Sequence, residues 1–463
     1  MQEPLPRKVK IHHALIPVGV VIITVFCAIV LFDTGPQVPL VFGCLAAGLV
    51  AVYLGYTWED ILDGMIQGIT DSLEAILILL MIGMLVGAWI ASGTVPTLIA
   101  YGLHVVTAKT FLPAAMGICV LTAFAIGSWG TVGTMGLALM GIGISLKIPV
   151  PLVAGAVISG SYMGEVISPL SDATNLAAAV AGDSVLQIVK KLLPTAVAAG
   201  LLTLILYAAA GMRYGVNGAE TVSDSISSML EGLNTNFQIT PLSLLPLILV
   251  LICILRKLPA IPSMLFGAMA GMAEAMLLQG ADFGSVLSYA YSGYVCESGN
   301  TLMDTLFTAG GMEDMLEAIC VILIAMAFGG IMKKTKQMEA LVQPVVSRVR
   351  KTGTMLGLTV LTCAAMNVIL PDQYLGISMP GQMYKEDFQR RGLTGKDLGA
   401  VLLGGGAVMS PLIPWNTCGM YCSAILQVSP AKYARYAWYG ILLPVMVIAA
   451  GLISPKKNSR RSK

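Results

Sequence analysis

Two stretches decide how this chain is read: SPLSDATN at residues 168–175 and SPLIPWNT at residues 410–417. Each stands inside a long apolar run, and each carries hydroxyls and amides. Pro169, Pro411 and Pro414 lack an N–H and disfavour helix in the residue before them. Each run is therefore expected to be a helix that comes apart part-way along. Inside lipid, an unwound stretch survives only where it is buried in protein or lines a watery cavity.

The rest of the chain places those stretches inside lipid. It has 463 residues, 56% hydrophobic and 11% charged, against about 25% charged in a soluble domain. Its mean hydropathy is +0.83. The fold class is an all-α polytopic membrane protein. Spans are expected near 14–32, 38–56 and 75–93. Run 14–32 is long for a signal peptide and lacks an A-x-A-like site, so it reads as a retained span. Residues 110–146 hold no charge. As one helix they would reach ~55 Å, too long for ~30 Å of hydrocarbon. A re-entrant hairpin fits, with GSWGTVGTMG at its tip. A span near 148–167 follows, breaks at Ser168-Pro169 and resumes to about 189; another covers 192–212.

The same order returns after a polar stretch, 213–238. Spans near 239–255, 258–278 and 316–332 precede a second uncharged run, 352–371, with Asp372 and Gln373 at its polar tip. Then comes the interrupted run 398–431 and a last span near 437–454. With the N-terminus in the cytoplasm and five crossings per half, 22 of the 27 Lys and Arg fall inside, as the positive-inside rule requires. An odd number of crossings makes the halves inverted repeats. The first would be 1–212, the extracytoplasmic linker 213–238 and the second 239–454. A basic cytoplasmic tail, 455–463, ends the chain near anionic lipid.

Hydroxyls, amide oxygens, freed carbonyls and a carboxylate are hard ligands for a small cation such as Na⁺. Asp172 is the sharpest candidate. A carboxylate at mid-membrane costs ~2.5–3.5 kcal/mol on insertion scales and usually serves an ion or proton path; the plainer reading is a helix cap. Glu165, seven residues earlier, is either a second proton carrier or an interface-facing acid. Ser128, Thr131 and Thr134 recur every three residues beside glycines, as ligands or as a packing face. Ser168, Ser171, Thr174 and Asn175 complete the first set. Asn367, Asp372, Gln373, Ser410, Asn416 and Thr417 form the second. Trp129 and Trp415 read as packing or gate residues.

Other groups weigh less. The nine cysteines, Cys418 and Cys422 included, make no metal motif and read as packing. Glu74, Glu274 and Glu317 lie near span ends, where interfacial placement is expected. No nucleotide loop, catalytic triad or zinc-protease motif occurs, so no ATP-driven pump or enzyme is expected. The short tail suits no nucleic acid.

GSWGTVGTMGLALMGIG, AGAVISGSYMGEVISPLSDATNLAAAVAGD and SPLIPWNTCGMY resemble the NhaC-type sodium/proton antiporter family. The resemblance implies a secondary Na⁺/H⁺ antiporter of a bacterial inner membrane, and the charge distribution puts both termini in the cytoplasm. It implies a homodimer whose mobile units, 110–212 and 352–454, move as an elevator against scaffolds 14–108 and 239–350. Na⁺ would bind between the first tip and the first break, with Asp172 exchanging a proton for it. Three departures stand out. Glu165-Val166 replaces the family's Asp-Lys, and Ala173-Thr174 its Thr-Thr. Residues 402–409, LLGGGAVM, lack the family's acidic pair. A coupled carrier of a small organic acid or amino acid is the alternative, with Gly404–Gly406 making room for substrate.

Overall fold

The computed structural model describes residues 9–32, 34–105, 107–169, 171–216, 219–256, 258–346, 352–369 and 372–453. The first eight residues and the basic tail lie outside them. Regular structure among the described residues is helical, apart from one isolated bridge between Tyr294 and Ala309. Among the described residues, four helices are long and apolar enough to cross a bilayer: Gln37–Leu54, Val150–Ile167, Val185–Tyr214 and Glu313–Lys334. Three bent pairs pass the same test, one of them Gly395–Leu412 with Thr417–Leu426, bent by 47°.

Both uncharged runs fold back on themselves. In the first, Gly127 has φ 75° and ψ 174° within Ala108–Thr131. Only glycine adopts that backbone without strain, and there the chain reverses. The return arm runs through a π-helical turn, Val132–Gly136, into Leu137–Ser145. A Cβ on Gly143 would lie 3.0 Å from the Phe111 ring, so the arm ends meet. In the second, Thr352–Ile369 is answered by Gln373–Arg390. Asp372 caps the return arm by accepting from Leu375 N (2.9 Å), and Thr362 Oγ1 meets Tyr384 OH at 2.7 Å.

One boundary needs correction. The helix after the first break stops at Ala181 rather than near 189, because Gly182 (φ 73°) ends it in a left-handed cap. Ser184 then starts a single helix, Val185–Val216, which takes in Lys190 and Lys191. Lys191 pairs with Asp397 at 3.0 Å across the halves. The polar stretch 213–238 is largely helix, Ala219–Asn236. Its Met229 and Leu233 are buried, and Phe237 packs on Phe307 with centroids 5.5 Å apart.

Helices outside the hairpins exchange partners between halves. Leu73–Ala91 packs on Ala260–Leu277 and Phe283–Ser292, whereas Leu316–Lys334 packs on Gln37–Leu54 and Trp58–Asp71. Glycines permit the second crossing. A Cβ on Gly330 would sit 2.0 Å from the Gly64 carbonyl oxygen, and one on Gly68 would sit 2.1 Å from that of Met326. Lys334–Asp63 and Lys333–Asp71 ion pairs finish the contact.

Gly330→Ala should therefore force these helices apart, costing about 1–3 kcal/mol and lowering the thermal midpoint in detergent. Gly117→Ala, with nothing within 4 Å of the new methyl, should leave it unchanged or raise it.

Candidate ion-binding site

The first break is short, and Leu170 within it lies outside the described residues. Helix Val150–Ile167 ends, Ser168 (ψ 126°) and Ser171 (ψ 143°) are extended, and helix resumes at Asp172. Thr174 Oγ1 sits over the gap, within bonding distance of the Ser168 (2.7 Å) and Ser171 (2.8 Å) carbonyls. Asn175 Nδ2 donates to Ser171 O (2.8 Å). Ser168 Oγ donates to Phe124 O (2.6 Å), just before the first hairpin tip.

The second break is longer. Helix Gly395–Leu402 widens into a π-turn, Leu403–Ala407; a 3₁₀ turn, Ser410–Leu412, and extended Ile413 follow, and helix restarts at Thr417. Asn416 caps the restart, its Oδ1 accepting from Cys418 N (3.1 Å). Its Nδ2 donates to Asn367 O and Oδ1, both 3.2 Å, in the second hairpin. Asn367 Nδ2 donates to Gly406 O (2.7 Å), and Trp415 Nε1 to Val368 O (2.7 Å). Ser410 Oγ turns back to Ala407 O (2.7 Å). Glycines 404–406 do not leave room for substrate, contrary to expectation. Methyls of Val447 lie against Gly404, Val360 against Gly405, and Gly376 and Ile377 against Gly406.

Both tips and both breaks converge on Glu165, in the last turn before the first break. Its side chain is 7% exposed. Gln373 Nε2, from the second tip, donates to Glu165 Oε2 (3.2 Å). Cys418 Sγ, from the second restart, donates to Gln373 Oε1 (3.0 Å). Ser128, from the first tip, lies beside the carboxylate, and its buried hydroxyl has no hydrogen-bond partner among the described residues. The buried Ser171 hydroxyl also lacks a protein partner. Trp129 stacks on Tyr421 at 4.3 Å, and Tyr421 OH donates to Trp129 O, tying the first tip to the second restart.

The candidates divide accordingly. Ser128, Glu165, Ser168, Ser171, Thr174 and Gln373 gather at the junction, with Asn367, Ser410, Asn416 and Thr417 buried behind it. Asp172 and Asn175 are exposed at the start of the second half-helix. Thr131 and Thr134 hydroxyls donate back to Gly127 O (2.9 Å) and Gly130 O (2.7 Å) in their own helix. Asp372 is occupied as a cap.

Sequence reading passed over Cys418, and over Tyr162, which lies near both Glu165 and Cys418. A signal existed for the tyrosine, one helical turn before Glu165. Glu274 is a correction: it is 6% exposed, and neither carboxylate oxygen has a protein partner. Gly267 and Gly271 let its helix close on Trp89, whose Nε1 donates to Gly267 O (3.1 Å).

Known proteins resemble this chain in sequence over nearly its whole length. The model of the Na⁺/H⁺ antiporter family matches residues 7–212 and 160–454. The chain belongs to the Na⁺/H⁺ antiporter family. It is 31% identical over 451 residues to the Na⁺/H⁺ antiporter NhaC of Alkalihalophilus pseudofirmus, covering 97% of each chain. It is 33% identical over 446 residues to the malate-2H⁺/Na⁺-lactate antiporter of Bacillus subtilis (96% of this chain, 95% of the relative). It is 34% identical over 447 residues to the arginine/ornithine antiporter ArcD of Halobacterium salinarum (96% and 92%). This antiporter is an integral membrane transporter, not an enzyme.

Thr174→Val keeps the shape but leaves the Ser168 and Ser171 carbonyls without the hydroxyl. It should cost about 1–3 kcal/mol, read as a lowered thermal midpoint, and should reduce exchange. Thr131→Val should be milder, since that hydroxyl serves only its own helix.

Proposed function

We propose that this antiporter exchanges Na⁺ for H⁺, the two competing for the Glu165 carboxylate. One observation carries the reading: a buried acid stands where both hairpin tips and both helix breaks meet. An isolated carboxylate at such a place is costly and serves an ion or proton path by default. Helix Val150–Ile167 ends there, and the partial negative charge of its last carbonyls favours a cation. Ser128 and Ser171 offer hydroxyl oxygens that no protein donor engages, and an ion held there would gain hard ligands. Asp172, exposed on the far side of the break, is the first anionic group an entering cation meets. Protonation of Glu165 removes the charge that holds Na⁺, so the ions load alternately. The second repeat, through Asn367, Gln373, Ser410, Asn416 and Thr417, shapes the other wall.

The same reading supplies the transport cycle. The halves are inverted repeats with five crossings each, a hairpin and a broken helix apiece. The exchange of partners by Leu73–Ala91 and Leu316–Lys334 supports this. Hairpins, broken helices, Val185–Val216 and Trp438–Ile453 pack chiefly among themselves, as do the remaining helices. That division supports mobile units at 110–212 and 352–454 sliding, as in an elevator, on scaffolds 14–108 and 239–350. Segment 213–238 links the halves on the extracytoplasmic side. The cytoplasmic placement of both termini rests on the distribution of Lys and Arg; the bacterial inner membrane and the homodimer rest on the family resemblance. The organic-substrate alternative loses its main support, because Gly404–Gly406 are filled by neighbouring side chains and backbone.

The test is reconstitution in vesicles with an internal pH dye. Adding Na⁺ should drive proton movement without an organic substrate. Glu165→Gln should abolish it with expression intact. Asp172→Asn should raise the KM for Na⁺ more than it lowers kcat. Normal exchange by Glu165→Gln, or flux only when malate, lactate, arginine or ornithine is supplied, contradicts the proposal.

A further inference from the structure

The Gln373 amide spans the junction between two groups of opposite demand. Its Nε2 donates to Glu165 Oε2 at 3.2 Å, and its Oε1 accepts from Cys418 Sγ at 3.0 Å. All three side chains are buried. An amide has one end that only donates and one that only accepts. Reversed, it would turn its oxygen on the carboxylate and its N–H₂ on a thiol that is a poor acceptor. The carboxylate and the thiol hydrogen therefore select the same orientation, and the thiol is its second support. Cys418 is itself held in place: its backbone N–H donates to Asn416 Oδ1 (3.1 Å), and Asn416 is anchored to Asn367.

We propose that Cys418 is a positioning residue for ion exchange. Its thiol keeps the donor end of Gln373 on Glu165 and the oxygen end away from the ion. This rests on the reading of Glu165 as the shared carboxylate. While the amide donates to Glu165 Oε2, it occupies acceptor capacity that Na⁺ would otherwise use. Without the thiol, the amide can turn and present its own oxygen to the cation. Cys418 thus weakens Na⁺ binding, which favours release after each crossing.

Na⁺ binding to the full-length protein in detergent, measured by titration calorimetry at fixed pH, tests this. A net hydrogen-bond difference of the usual size corresponds to a change of about two- to tenfold. Cys418→Ala should lower the Kd for Na⁺ by that factor, while Cys418→Ser, which keeps a donor, should stay near wild type. In a Gln373→Leu background, Cys418→Ala should change nothing further, since the thiol acts through the amide. If the alanine variant fails to fold, Cys418→Val replaces it. An unchanged or raised Kd overturns the proposal. So does a serine variant as altered as alanine, or the same shift in the Gln373→Leu background. Glu165→Gln separates the two readings. If it binds Na⁺ as wild type does, the site itself is wrong. If it loses binding while Cys418→Ala is silent, only the role of the thiol fails.

Discussion

Backbone groups released inside a membrane must find partners in the protein, because lipid offers none. Both broken helices obey this constraint, and the rest of the architecture follows from it. At the first gap, Thr174 reaches the Ser168 and Ser171 carbonyls. At the second, Tyr433 OH donates to Pro411 O (2.6 Å), and Asn416 binds across to Asn367. Hairpin tips supply what the breaks cannot supply for themselves: Phe124 O takes the Ser168 hydroxyl, and Val368 O takes the Trp415 indole. A break without its tip would leave polar groups orphaned at several kcal/mol each. The four features therefore come together or not at all, and the acid at their meeting point inherits a polar, protein-lined setting.

The two halves use that setting differently. The first brings the carboxylate of Glu165 and unpartnered hydroxyls; the second brings amides, a thiol and closely packed glycines. Gly404–Gly406 lie in a π-helical turn, a feature often found at functional sites. Here it lets the second hairpin approach closely enough for Asn367 to reach Gly406 O. Small residues thus bring Gln373 to Glu165, and they do so by closing space rather than opening it. A compact junction of this kind suits a small cation and a proton better than a substrate with a carbon skeleton.

Much of this was legible in the sequence, and the reasons are physical. Proline disfavours helix in the residue before it, and each Ser-Pro pair stands among hydroxyls and amides inside an apolar run, so both breaks could be read. The first uncharged run, too long for one crossing and too short for two, must double back, and the second shows its tip as the polar pair Asp372-Gln373, so both hairpins could be read. Less was visible where rotation decides. Glu165 and Asp172, seven residues apart, would share a face of an unbroken helix. The break re-aims the second, leaving Glu165 buried and Asp172 exposed. Nothing in the apolar pattern around Gly182 distinguishes a helix end from a continuation, so the boundary near 189 was misplaced. Cys418 looks like a packing residue because its partner, Gln373, is 45 positions away. Glu274 looks interfacial because glycines, not charges, set how deeply its helix packs.

Competition at one carboxylate has a direct signature. Purified protein in weakly buffered detergent solution can be mixed with Na⁺ while pH is followed. Release of protons on Na⁺ binding, with binding that weakens as pH falls and release that disappears in Glu165→Gln, is the result this account predicts. Na⁺ binding without proton release, at the same strength across the pH range, would contradict it.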